Sequence, residues 1–170
     1  MQSDRDALLA GILADPDADL PRLVFADWLE ETGHPANCAR AEYIRLAIER
    51  HTSRTIILEE YFLRLEELKG MFLDEWDMYL SANSDVGHAS RLRGFVDSVN
   101  LTGSRLDHVF GELSRSHPVQ DMVLNDLPNP RYLISALPLL RLRSLTLPDT
   151  KASIPAICAF LTASRFQRDA

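Results

Sequence analysis

One spacing constrains this chain more than any other. The pattern apolar-x-x-apolar-x-apolar occurs at Val96–Leu101, at Val119–Leu124 and at Leu142–Leu147, and its first position advances by 23 residues at each step. Each six-residue stretch reads as a short strand, and 23 residues leave room for a strand, a turn, a short helix and a return. The intervening residues keep the same period. Leu106, Val109, Phe110 and Leu113 follow the first strand at helical spacing, and Tyr132, Leu133, Ala136 and Leu137 follow the second. Moving that second set on by 23 gives Pro155, Ala156, Ala159 and Phe160. A unit of this size cannot bury its own apolar side, so the repeat predicts parallel strands whose core is completed by stacking.

Ahead of the repeats the periodicity is helical. Ser3 and Asp6 form an acidic capping box before Leu8, Leu9, Ile12 and Leu13, and Pro16 is expected to end that helix. A second helix is expected over Leu20 to about Thr32, with Leu20, Val24 and Trp28 as its apolar stripe, Leu23 and Leu29 beside them, and Gly33 as the left-handed residue past its end. His34-Pro35 opens a third helix with Tyr43, Ile44, Ala47 and Ile48 inward and Glu42/Arg45 and Arg45/Glu49 pairs outward. A fourth, Ser53 to Lys69, would bury Ile57, Tyr61, Leu65 and Leu68 and break at Gly70. Phe72, Trp76 and Leu80 then mark a short fifth. The polar stretch Asn83 to His88, with Gly87, reads as a junction. The expected organisation is a helical module over 1–82 and three repeats over 83–170.

Composition narrows the functional classes. At 46% hydrophobic and 25% charged residues the chain has a globular make-up rather than a disordered one. The net charge of −7 is uneven: residues 1–85 carry 18 acids against 8 Lys and Arg, and residues 86–170 carry 7 against 10. An acidic first half of this kind is a poor footprint for phosphates, so no nucleic acid is expected as partner. No apolar run approaches the ~20 residues of a spanning helix, and Met1–Ala10 carries acids where a signal peptide is basic, so a cytoplasmic protein without a membrane partner is expected. Cys38 and Cys158 lie in different halves without CxxC spacing and read as free thiols.

Leu20-Pro21-Arg22-Leu23-Val24-Phe25-Ala26-Asp27-Trp28-Leu29-Glu30-Glu31-Thr32-Gly33, followed by Arg40-Ala41-Glu42-Tyr43-Ile44-Arg45-Leu46, resembles the bacterial repeat-companion domain. Arg93-Gly94-Phe95-Val96 is similar to the step by which that module leads into leucine-rich-type repeats. The resemblance implies an α/β protein in which an N-terminal all-helical module caps a short leucine-rich-repeat-like solenoid with parallel strands. It implies no activity and no catalytic residue. The chain departs from the standard repeat at Ser104, Leu127 and Thr150, where Asn is usual.

Chemistry is sparse. Asp27, Glu30 and Glu31 put three carboxylates on one side of the second helix, a pattern that could do acid/base work; with Trp28 and Leu29 pointing to the core beside them and no His or Cys motif accompanying them, they read as a solvated face, or as a local hydrogen-bonding role for Asp27. Asp74, Glu75 and Asp77 read the same way and lack a calcium loop. His34, His51, His88, His108 and His117 are scattered without HxxxH or HExxH, and phosphate-cradling glycine motifs and a nucleophile elbow are absent. No catalytic residue, cofactor or metal is expected.

The strands offer more. In an apolar-x-x-apolar-x-apolar strand the intervening residues point outward, which selects Ser98 and Asn100, Asp121 and Val123, Ser144 and Thr146, flanked by Asp97, Gln120 and Arg143. Lined up on a concave solenoid face, they would bind a protein partner. Two other functions stay open: a structural N-terminal cap of a longer repeat protein, and a hydrolase built on the Asp27/Glu30/Glu31 face. The third repeat has no polar cap after it, so the C-terminal end is expected to be open to self-association.

Overall fold

A computed structural model describes residues 2–53, 59–77, 86–102, 111, 113–125 and 142–148. Its elements are α1 (Gln2–Ala14), α2 (Leu20–Glu31), α3 (Pro35–Thr52), α4 (Glu59–Trp76), β1 (Val86–Leu92), β2 (Phe95–Thr102), β3 (Asp121–Asn125) and β4 (Ser144–Thr146). The chain divides into two compact units. The first is 1–83 with 91–96 and 115–118; the second is 84–90, 97–114 and 119–170.

In the first unit α3 is the central helix. Ala41, Ile44 and Ile48 join Leu9 and Ile12 of α1 and Phe25, Ala26 and Leu29 of α2 in one cluster, which Phe95 completes. Ala39 and Tyr43 join Leu65 and Leu68 of α4 in another, lined by Phe72 and Trp76. The Trp76 indole donates to the Ala36 carbonyl at 2.8 Å, tying the end of α4 to the start of α3.

Two helical expectations change. The buried face of α2 is Arg22, Phe25, Ala26 and Leu29, whereas Leu20 is 71% exposed and Val24 43%. Both sets have helical spacing; the one that wins contains an arginine, whose guanidinium donates to the Ala18 carbonyl at 2.7 Å and is thereby tolerated inside. Nor does Gly70 break the fourth helix, since α4 runs through it to Trp76. A mid-helix glycine costs only about 1 kcal/mol, less than the burial of Leu65, Leu68, Phe72 and Trp76 on one stripe provides. A Cβ at Gly70 would have nothing within 4 Å. Gly70→Ala should therefore stabilise the protein by about 0.5–1 kcal/mol, a rise of about 2–4 °C in Tm. A lowered Tm by differential scanning calorimetry would show that the site needs glycine.

The strands form one sheet in the order β1-β2-β3-β4. β1 is antiparallel to β2, and the others are parallel. Ser98, Asp121 and Ser144 are in register, as are Val99, Met122 and Leu145, and Asn100, Val123 and Thr146. The 23-residue step is therefore also the registration of the three parallel strands. Val99, Leu101, Met122 and Leu124 face inward and are buried.

The leucine-rich solenoid expected for 83–170 is replaced by a small mixed sheet. A repeat of apolar positions specifies how successive strands pair, and three in-register strands satisfy it without any superhelical winding. The stretch read as a junction holds the start of β1, which occupies the edge next to β2. The connection is a two-residue hairpin in which Arg93 has φ 51° and Gly94 φ 86°, as a turn of the I′ type requires. Of the helices expected between strands, Gly111 and residues 113–116 are described and helical, with Leu113 buried. The helices expected near 129–137 and 153–164, and the C-terminal end expected to self-associate, lie outside the described residues. Among the described residues no helix is long and apolar enough to cross a membrane.

Candidate functional site

The outward residues of the parallel strands meet in two columns. Ser98, Asp121 and Ser144 make one, and Asn100, Val123 and Thr146 the next. Ser144 and Thr146 are exposed and the other four half-buried. Side chains alternate across a strand, so the apolar set that buries Val99, Met122 and Leu124 leaves this polar set on the opposite face.

Polar contacts fix the face. Arg143 Nη2 lies 2.5 Å from Asp121 Oδ2 and 4.0 Å from Asp97 Oδ2, so one guanidinium bridges two carboxylates from neighbouring strands. Asn125 donates through its side-chain amide to Asn100 Oδ1. A Cβ at Gly87 on β1 would stand 3.7 Å from the Asn100 carbonyl oxygen and 4.0 Å from its Cγ, ordinary contact that leaves Asn100 undisturbed. Gln120 does not belong to this surface. It is 7% exposed, its N–H donates to the Asp97 carbonyl, and its own carbonyl accepts from the backbone N–H groups of Arg143 and Ser144. It staples three strands just ahead of the columns, a role that its polarity alone does not reveal.

The carboxylates of α2 are organised differently. Arg45 Nη2 lies 2.7 Å from both Asp27 Oδ1 and Glu30 Oε2, and Glu31 takes no part in these bonds. Arg45 is thus drawn away from the expected Glu42 and Glu49, and Arg64 forms a two-pronged pair with Glu42 at 2.7 and 2.8 Å. The hydrogen bonds from Arg64 hold the Glu42 carboxyl below the usual carboxylate range. Asp27 and Glu30 are exposed and bound to a permanently charged guanidinium, the opposite of the desolvated setting in which a carboxyl acts as general acid.

Asp77 departs most from its expected place on a solvated face. It is 6% exposed. Arg91 reaches its Oδ2 with Nη2 at 2.5 Å and Nε at 3.2 Å. His117 Nε2 is 3.2 Å from Oδ1, an ion-pair distance, although the ring N–H is not aimed squarely at that oxygen. On the other side of the ring the Val96 N–H donates to Nδ1 at 3.3 Å. Nδ1 is therefore an acceptor, and the neutral ring carries its proton on Nε2, toward Asp77. Burial works to raise the Asp77 carboxyl, but the contact with His117 and the charges of Arg40 and Arg91 outweigh it and hold the group well below the carboxylate range. Burial is also the main influence on His117 and pushes its ring below the usual histidine value.

Sequence reasoning missed this cluster because its members are separated by 14 and 40 residues and share no motif. The only early signal is that three charged or ionisable residues fall near element ends. Among the described residues no group of three or more His, Cys, Asp or Glu is placed to hold a metal ion. Comparison with protein-family models, with curated proteins and with solved structures finds no match.

Proposed function

We propose that this chain is a non-catalytic interaction module that binds a protein partner through the polar face of its sheet. The observation that carries the reading is the register that places Ser98, Asp121 and Ser144 in one column and Asn100, Val123 and Thr146 in the next. Small side chains there let a partner approach the sheet closely, and the Arg143 bridge and the Asn100–Asn125 bond offer polar groups already held in position. The likeness of Leu20–Gly33 and Arg40–Leu46 to repeat-companion modules points toward the same class of function. The acidic first half disfavours nucleic acid as partner, and the free thiol of Cys38 suits the cytoplasm.

The test is affinity capture from native lysate with the wild type and with an Asn100→Arg, Asp121→Arg, Thr146→Arg variant of unchanged circular dichroism. Proteins captured by the wild type and depleted at least tenfold with the variant are the expected result, since three arginines introduce bulk and like charge across both columns. Identical captured sets would remove the sheet face from consideration.

A further inference from the structure

The hairpin tip is held in the first unit by two imidazoles acting as acceptors. At one end the Val96 N–H donates to His117 Nδ1 at 3.3 Å. At the turn, Arg93 Nη2 is 2.9 Å from His51 Nε2. A guanidinium only donates, so His51 Nε2 accepts and the ring proton is on Nδ1. Between these points Phe95 enters the core beside Phe25, with centroids 5.9 Å apart, and Gly94 lies against Ile44. We propose that the tip Arg91–Val96 is a proton-released latch, closed while the buried His117 ring is a neutral acceptor for the Val96 N–H and opened when acid turns that ring into a donor.

The charged groups around His117 set the direction. His117 faces Asp77 at the end of α4, Arg40 of α3 and Arg91 of β1. Burial opposes a charge on the ring, Arg40 and Arg91 repel one, and the pull of Asp77 offsets these only in part. His51 faces Arg93, itself bonded to the Asp17 carbonyl and 3.3 Å from Asp19 Oδ1. Above about pH 6.5 a released His117 is neutral like the seated one, and pH has no effect. Below it the released ring binds a proton that the seated ring refuses, so acid favours release by up to about tenfold per pH unit. Asp77, whose carboxyl is depressed, withdraws its stabilisation only as pH falls below its unfolded value, from about pH 4 downward, so the two effects separate.

Hydrogen–deuterium exchange of the full chain at pH 7.5, 6.5 and 5.5, scaled for intrinsic rates, tests the latch. Protection over 92–97 should fall about fivefold between pH 6.5 and 5.5, with α2 and α3 unchanged. In a His117→Asn variant, whose amide oxygen stands in for Nδ1 but cannot be protonated, protection should persist. Unchanged protection in the wild type, the same loss in the variant, or loss over the helices at the same pH would each overturn the proposal. Should that variant not fold, imidazole NMR titration of the wild type decides: His117 must titrate together with the loss of Val96 protection, and titration without that loss refutes the latch.

Discussion

Gly94→Ala should destabilise the protein by about 3 kcal/mol or more, a large fraction of the roughly 5–15 kcal/mol that holds a domain of ordinary stability. Two independent costs meet at this residue. Its φ of 86° carries about 1–2 kcal/mol for any residue with a Cβ. That Cβ would also stand 2.7 Å from Ile44 Cγ1 and 2.9 Å from Ile44 Cα, and the second contact is with backbone that cannot rotate aside. Gly33 separates the two costs, because its φ is 67° but a Cβ there would meet nothing within 4 Å. Gly33→Ala should therefore cost only about 1 kcal/mol. Urea denaturation of the two variants is the measurement, and equal losses would show that the approach to Ile44 is not what constrains residue 94.

The second large effect belongs to Asp77. Asp77→Ala should cost about 3–5 kcal/mol, because it leaves Arg91, 14% exposed at its side chain, without its carboxylate inside the protein. The comparison is Asp27→Ala, which removes one of two carboxylates from the partly exposed Arg45 and should cost at most about 1 kcal/mol. A loss below about 1 kcal/mol for Asp77→Ala, read from the denaturant midpoint at constant m, would mean that water reaches Arg91 and replaces the carboxylate. Asp77→Leu, which fills the space without charge, should be no better than alanine, since the Arg91 guanidinium would still lack an acceptor.

What the sequence disclosed follows from the range of the forces involved. Periodic burial is local, and it disclosed α1, α2 and α3 with their breaks, including the positive φ at Gly33. The 23-residue step disclosed β2, β3 and β4 and their registration, because in-register parallel strands must repeat their inward set at a fixed interval. It did not disclose the architecture around them. β1, with Gly87, His88 and Ser90, has little strand propensity of its own and is fixed by the Arg93-Gly94 turn and by pairing with β2. The inward face of α2 was misjudged because Arg22 contributes to it, and hydrophobicity does not count a buried guanidinium as core. Of the outward set, six residues fall in two columns as the alternation requires, while Gln120 is drawn inside by backbone bonds that have no sequence signature. The Asp77–His117–Arg91 cluster is held by contacts between distant segments, and periodicity carries no trace of them.

The division of the chain has a consequence for the order in which the protein is made. A ribosome delivers α1 through α4 first, yet the compact unit they belong to also takes in 91–96 and 115–118. When α4 leaves the exit tunnel, the space beside Phe25 and Ile44 still awaits Phe95, and Asp77 is a newly formed carboxylate with neither Arg91 nor His117 synthesised. At about 5–20 residues per second the remaining 40 residues to His117 take a few seconds, far longer than helices need to form. For that interval the nascent helices carry an unfilled apolar seat and an acid with only the charge of Arg40 to offset its own, and a chain terminated near residue 83 would keep both for its whole life.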